Sequence, residues 1–224
     1  MIMKKNVWFI SLLLAFAGAA NGETIVQNFI TAEVSPGSYT LPKIDTFIVD
    51  QFDSTLGTLT KVTFEISVDT WGGSFTVVNT TVPSARVTGL MYQGISADLQ
   101  GTLVPVIADL NDIQSKNFDL AGNGDSDSLI GPDTLNRRRA GPSTAEVLSN
   151  FAAYEGAGTY DVNFRSWQAN GHDASGSISG TFDSAYSQGF LTVTYEYTPV
   201  PEPGSLALLA LGCAFLGMRR RRVR

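Results

Sequence analysis

The residues best suited to chemistry are oxygen donors: Asn123-x-Asp125-x-Asp127, in a stretch that also holds Gly122 and Gly124. Oxygen ligands at alternating positions of a Gly-rich loop suit Ca²⁺, and Asp133 could add a more distant one. The EF-hand pattern fails, because Ser128 stands where it has Gly and Thr134 where it has Glu. Two readings stand, a loose calcium loop and a solvated acidic loop, and the second is the expectation. Arg137-Arg138-Arg139 follows in the same segment. Three adjacent arginines could neutralise the loop's own acids, offer a protease site or bind an anionic polysaccharide; a solvated charge run is the preferred reading. Trp71, before Gly72-Gly73, and Trp167 could stack on sugars as a carbohydrate-binding face, although core packing is the stronger expectation for both.

Nucleophilic and redox chemistry find little support. His172 is the single histidine, and no Gly-x-Ser-x-Gly elbow lies between a strand and a helix to use it. Cys213 is the single cysteine and falls near the C-terminus. The body therefore has no disulfide, no cysteine nucleophile and no thiolate metal site. Paired carboxylates for glycoside hydrolysis will arise by chance among so many acids, and spacing alone singles out no pair. The expectation is a protein that is not an enzyme, without catalytic residues and with no resident cofactor unless the loop takes Ca²⁺.

Charge narrows the partners. All twenty-one acidic residues, but only eight of the fifteen basic ones, lie between Glu23 and Pro203, giving that span a net charge of −13. Such a surface repels nucleic acid and anionic lipid headgroups.

The elements that must position these residues read as strands. Val62, Phe64, Ile66 and Val68 alternate with polar residues, as do Tyr160, Val162 and Phe164, and Leu191, Val193, Tyr195 and Tyr197. Period two means one buried and one wet face per strand. Further candidates are Ile25 to Val34, Thr46 to Phe52, Ser74 to Val82, Arg86 to Leu90 and Gly176 to Phe182. Ser35-Pro36-Gly37, Gly72-Gly73, Pro83-Ser84 and Asn170-Gly171 read as turns between them. The pattern predicts an all-β fold, an antiparallel β-sandwich of jelly-roll or Ig-like type; mixed sheets or a partly closed barrel are the alternatives. Two stretches look helical. Ala108 to Phe118 is ambiguous, and Ser143-Thr144-Ala145-Glu146 resembles a capping box opening a short helix through Phe151. Between them, 121–140 reads as a long polar insertion.

The two ends supply the address. Lys4 and Lys5, the apolar run Val7 to Ala17 and small residues through Gly22 form a secretory signal peptide over 1–22, which implies signal peptidase as a partner. At the other end, 199–224 holds Pro201-Glu202-Pro203, an apolar stretch from Gly204 to Met218, and Arg219-Arg220-Arg221-Arg222. As a helix the stretch would reach about 22 Å, short of the ~30 Å hydrocarbon core. It could insert by local thinning, with the arginines snorkelling and held on the cytoplasmic side. The expected order is leader 1–22, sandwich ectodomain 23–198 and tail 199–224, with a short C-terminal transmembrane helix holding the chain before processing.

These tail residues resemble the PEP-CTERM sorting signal of Gram-negative bacteria. The resemblance implies processing by an exosortase-type enzyme, with Glu202 as a recognition determinant. It further implies placement at the outer cell surface or in an extracellular matrix, in bacteria that make exopolysaccharide and biofilm. A second resemblance lies in the body. Gln51-Phe52-Asp53-Ser54-Thr55-Leu56-Gly57-Thr58-Leu59-Thr60-Lys61-Val62 and the closing Leu191-Thr192-Val193-Thr194-Tyr195-Glu196-Tyr197 are similar to the choice-of-anchor modules, type E. That likeness spans Val26 to Thr198 and brings no catalytic residues. Together they imply an exported structural or interaction protein, with a carbohydrate-binding module, calcium-assisted or not, as the alternative.

Overall fold

The structure is a computed structural model that describes residues 22–38, 40–101, 103 and 110–200. The predicted leader, except Gly22, and everything predicted for 201–224 lie outside the described residues: Pro201, Glu202, Pro203, the arginine cluster and the transmembrane helix. Among the described residues, no helix is long and apolar enough to cross a membrane.

The described chain is nearly all strand, in the order β1 (Glu23–Ile30), β2 (Lys43–Asp50), β3 (Gly57–Asn79), β4 (Val87–Gln100), β5 (Leu110–Leu120), β6 (Ser126–Ile130), β7 (Arg138–Val147), β8 (Thr159–Ala174) and β9 (Ile178–Pro199). One 3-10 turn, Phe151–Ala153, precedes β8. Two antiparallel sheets form. The first runs β1-β9-β3, with β6 and β7 sharing the far edge of β3; the second runs β2-β8-β4-β5. They pack as a sandwich-like pair curled toward a half-barrel.

The predicted alternation is what makes the core. Val62, Phe64, Ile66 and Val68 of β3 and Val193 and Tyr195 of β9 are fully buried, packed with Phe47, Val49, Val162 and Phe164 of the second sheet. A second cluster, including Phe75, Val77, Met91, Phe118 and Leu120, fills the other end. Buried polar residues (Thr70, Gln93, Ser166 and Ser187) lie outside both clusters.

Several local expectations are corrected. Gly72-Gly73 does not separate two strands. Both residues take positive φ, 70° and 77°, which puts a kink into β3 while its ladder with β9 continues on either side, from Trp71↔Tyr186 to Ser74↔Asp183. Asn170-Gly171 is not a turn either. It lies within β8, opposite Gln93 and Tyr92. A Cβ on Gly171 would stand 2.1 Å from the Tyr92 hydroxyl, so this glycine admits a ring rather than bending the chain. The helix expected over 143–151 is strand β7, whose Ser143, Thr144, Ala145 and Glu146 pair with Ile66, Glu65, Phe64 and Thr63. The exposed edge of β3 supplies ladder partners that outweigh a local cap. The ambiguous Ala108 to Phe118 stretch contributes β5. The stretch read as a polar insertion, 121–140, holds β6 and the start of β7.

Both open sides of the sandwich are clasped by polar groups. On one side the Gln27 amide of β1 donates to the Asp50 carbonyl of β2 at 3.0 Å and accepts from its N–H at 3.1 Å. On the other, β5 is tied to β6 by Lys116–Asp127 and to β7 by Arg138–Asp112. Inside, the Tyr160 and Tyr195 hydroxyls lie 2.8 Å apart, and Tyr195 donates to the Asp50 carbonyl at 2.8 Å, joining the sheets.

Burial pushes the Tyr195 phenol up to about 12 and raises Tyr160 as well. An unfolded tyrosine ionises near pH 10. The folded state keeps its protons longer, so this stabilisation is complete below about pH 10 and is lost as pH rises through about 12. Denaturant midpoints measured across that window fall with pH, and fall less steeply for Tyr195→Phe. Equal slopes would show that the pair does not titrate with unfolding.

Candidate functional site

The calcium candidates are occupied with local work. Asp125 folds back on its own turn, accepting from the N–H groups of Ala121 at 2.8 Å and Ser126 at 3.0 Å. Asp127 takes the Lys116 ammonium at 2.6 Å, which holds its carboxyl below the ordinary carboxylate value. Asn123 contributes its N–H to the Ser84 hydroxyl. Asp133 accepts from Leu135 and Asn136 in a turn of its own. Among the described residues, no group of three or more His, Cys, Asp or Glu stands where it could hold a metal ion. These residues form a turn from Gly122 to Asp125, capped by the Asp125 carboxylate, that runs into a strand whose Asp127 meets Lys116.

The arginine triplet lies at the surface, with Arg138 and Arg139 exposed, but its charges are paired. Each member reaches an acid far along the chain. Arg137 meets Glu33 at 2.8 Å, Arg138 meets Asp112 at 2.7 Å and Arg139 grips Asp69 through two bonds. Asp112 is 6 % exposed and also accepts from the Thr70 hydroxyl. It lines a small cleft with Thr70, Trp71, Gln93, Ile95 and Gln168.

The two tryptophans are covered. Trp71 is 4 % exposed and Trp167 8 %. The Arg137 guanidinium sits 3.9 Å from the centre of the Trp71 ring, and Tyr186 stacks on that ring at 5.9 Å. Sugar stacking needs an open ring face, and beside Trp71 the ring partly open to solvent is Tyr186, 47 % exposed. Sequence reasoning missed this tyrosine because its neighbour across the ladder, Trp71, lies more than a hundred residues away in the chain. His172 is exposed and stacks on Phe75.

The chain's exit from the domain is the remaining feature. β9 pairs with β1 and β3 to its end, with Glu23↔Tyr197 and Gly57↔Pro199. The Tyr197 hydroxyl donates to Glu23 at 2.7 Å, and the Val200 N–H donates to the Leu56 carbonyl at 3.0 Å. Glu23 and Pro199 therefore lie at the same end of the sandwich.

The model of the PEP-CTERM protein-sorting motif matches residues 199–222. No curated protein matches the chain. Among solved structures, a chain of infectious bursal disease virus Gx strain aligns with 10 % identity and a TM-score of 0.17, covering 80 % of this chain. This chain spans 38 % of that one's length. The VP1 protein of Trichodysplasia spinulosa-associated polyomavirus aligns with 9 % identity and a TM-score of 0.12, covering 80 % of this chain and 97 % of its own. Likenesses at these scores carry no argument. The sorting motif does: it indicates an exported protein sorted by an exosortase-type enzyme and transiently anchored at the membrane.

Proposed function

We propose that the chain is a structural or interaction protein whose β-sandwich is the cargo that the tail delivers to the outer surface, or into the extracellular matrix, of a Gram-negative bacterium. The leader 1–22 directs export and is removed by signal peptidase. The apolar segment 204–218 then holds the chain in the inner membrane, with its arginines cytoplasmic, until the tail is processed. The observation that carries this reading is where the last strand stops. β9 completes the first sheet at Pro199, and the matched motif begins at that same residue. Loss of everything beyond Pro203 removes no strand of the described residues.

The two segments similar to choice-of-anchor modules support a relation of the sandwich to that type. They are neighbours in the sheet, through Leu59↔Tyr197, Val62↔Tyr195 and Ile66↔Leu191. No catalytic role goes with them, and we assign none.

Association with exopolysaccharide is tested by sedimenting the free ectodomain with polysaccharide purified from the host's own matrix. Saturable co-sedimentation is the expected result, and recovery of all the domain in the supernatant contradicts it. A glycan-binding role is the second reading, favoured by the half-open Tyr186 ring backed by Trp71 with Arg137 beside it. Under it, Tyr186→Ala abolishes co-sedimentation without changing the melting temperature.

A further inference from the structure

The exit of the tail is held rather than free. Pro199 lies in the ladder opposite Gly57, and the Val200 N–H is bonded to the Leu56 carbonyl, so the first two residues of the matched segment belong to the domain's rim. Leu56 closes a tight turn from Asp53, in which its N–H donates to the Asp53 carbonyl at 3.1 Å and Thr55 N–H to the Asp53 carboxylate at 2.9 Å. Beside this turn runs the segment at Glu155, bridged to Phe52, with Gly156 N–H on the Phe52 carbonyl. The rim is therefore held by the β3–β9 ladder of the first sheet and by the bridge between Phe52 and Glu155.

Its reach to the membrane is short. From Val200 to Gly204, where the apolar segment starts, the chain spans at most about 14 Å fully extended. If that segment enters the bilayer, Leu56 and Val200 stand within that distance of its surface. Any enzyme acting on the tail there meets the rim. Two adjacent apolar side chains face outward at this point, Leu56 at 43 % exposure and Val200 at 57 %. The acids around them, Asp53 and Glu155, oppose docking on anionic lipid headgroups and suit a protein surface.

We propose that this rim, centred on Leu56 and Val200, is a docking surface for the membrane-embedded enzyme that processes the tail. This rests on the sorting reading above and adds that the folded domain, not the tail alone, is recognised. Bound there, the enzyme receives the motif at a fixed height and direction, because the domain itself sets where residue 200 leaves.

The test follows tail loss over time by intact mass, using the full chain in its own host. Leu56→Glu slows processing about five-fold or more, the size of effect expected from losing one central interface contact, while the melting temperature of the free domain stays unchanged. Val200→Glu does the same and serves in its place should Leu56→Glu fold poorly. Ten Gly/Ser residues inserted after Val200 uncouple the motif from the rim and make processing insensitive to residue 56. Processing of both rim variants at the wild-type rate overturns docking while leaving sorting intact; a wild-type chain that keeps its tail overturns both. Leu56-dependent binding of the free domain to anionic phospholipid vesicles assigns the rim to lipid and overturns the enzyme.

Discussion

Arg138→Ala lowers the unfolding free energy of the ectodomain by about 3 kcal/mol, at the low end of what breaking a buried ion pair costs. The loss comes from Asp112 more than from the arginine. Arg138 is 42 % exposed, and water replaces much of what it gives up. The Asp112 carboxylate is buried in the seam between β5 and β7, with the Thr70 hydroxyl as its other partner. Without Arg138 it is a buried charge held by one neutral group. Truncating one partner is therefore far worse than replacing both. The double variant Arg138→Met with Asp112→Leu recovers most of the stability, because the seam then packs apolar side chains. Denaturant unfolding of the three proteins separates these cases. A cost below about 1 kcal/mol for Arg138→Ala alone would place the pair among ordinary surface bridges.

Phe52→Ala is the larger loss, about 3–5 kcal/mol, the usual range for deleting a buried aromatic ring. Phe52 is fully buried, and its ring meets those of Tyr195 at 6.1 Å and Tyr197 at 5.0 Å. Its backbone also fixes the rim, since its N–H donates to the Tyr154 carbonyl and its carbonyl accepts from Gly156. The ring thus packs against the last residues of β9, where the chain leaves the domain. Two readouts are expected together: the lowered unfolding free energy, and faster hydrogen exchange at the Tyr197 and Val200 amides than in the deep β3 and β9 ladder. Uniform exchange across β9 would mean that the end of this strand opens only with the whole domain.

Much of the architecture was legible because the forces that form it are periodic. Val62 to Val68 and Leu191 to Tyr197 alternate so regularly that their inner face could be read residue by residue, and those residues are the core. What misled was chemistry whose partners lie far along the chain. Ser143-Thr144-Ala145-Glu146 has the composition of a helix cap, but the free edge of β3 claims it. Gly72-Gly73 and Asn170-Gly171 have the composition of turns, yet one kinks a long strand and the other leaves room for Tyr92. The same distance hid the arginines. Arg137 and Glu33 are 104 residues apart, and Arg139 and Asp69 are 70. Local spacing offered only the neighbouring acids as partners. Asp125 and Asp127 likewise looked like ligands because nothing local showed that Lys116, on another strand, would take one of them. The tail was readable without any fold, since charge, apolar length and the Pro-Glu-Pro step are all local in sequence.

The tail is proposed to be a removable address on a sandwich whose last described strand ends at Pro199. The most direct test is the intact mass and cellular location of the protein in its own host, for wild type and for Glu202→Ala. The expected result is that wild type leaves the inner membrane with a mass lacking the leader and the apolar, arginine-ended segment, while Glu202→Ala stays membrane-bound with that segment attached. If both proteins keep the segment and remain in the membrane, the tail is a permanent anchor and processing plays no part in this protein's delivery.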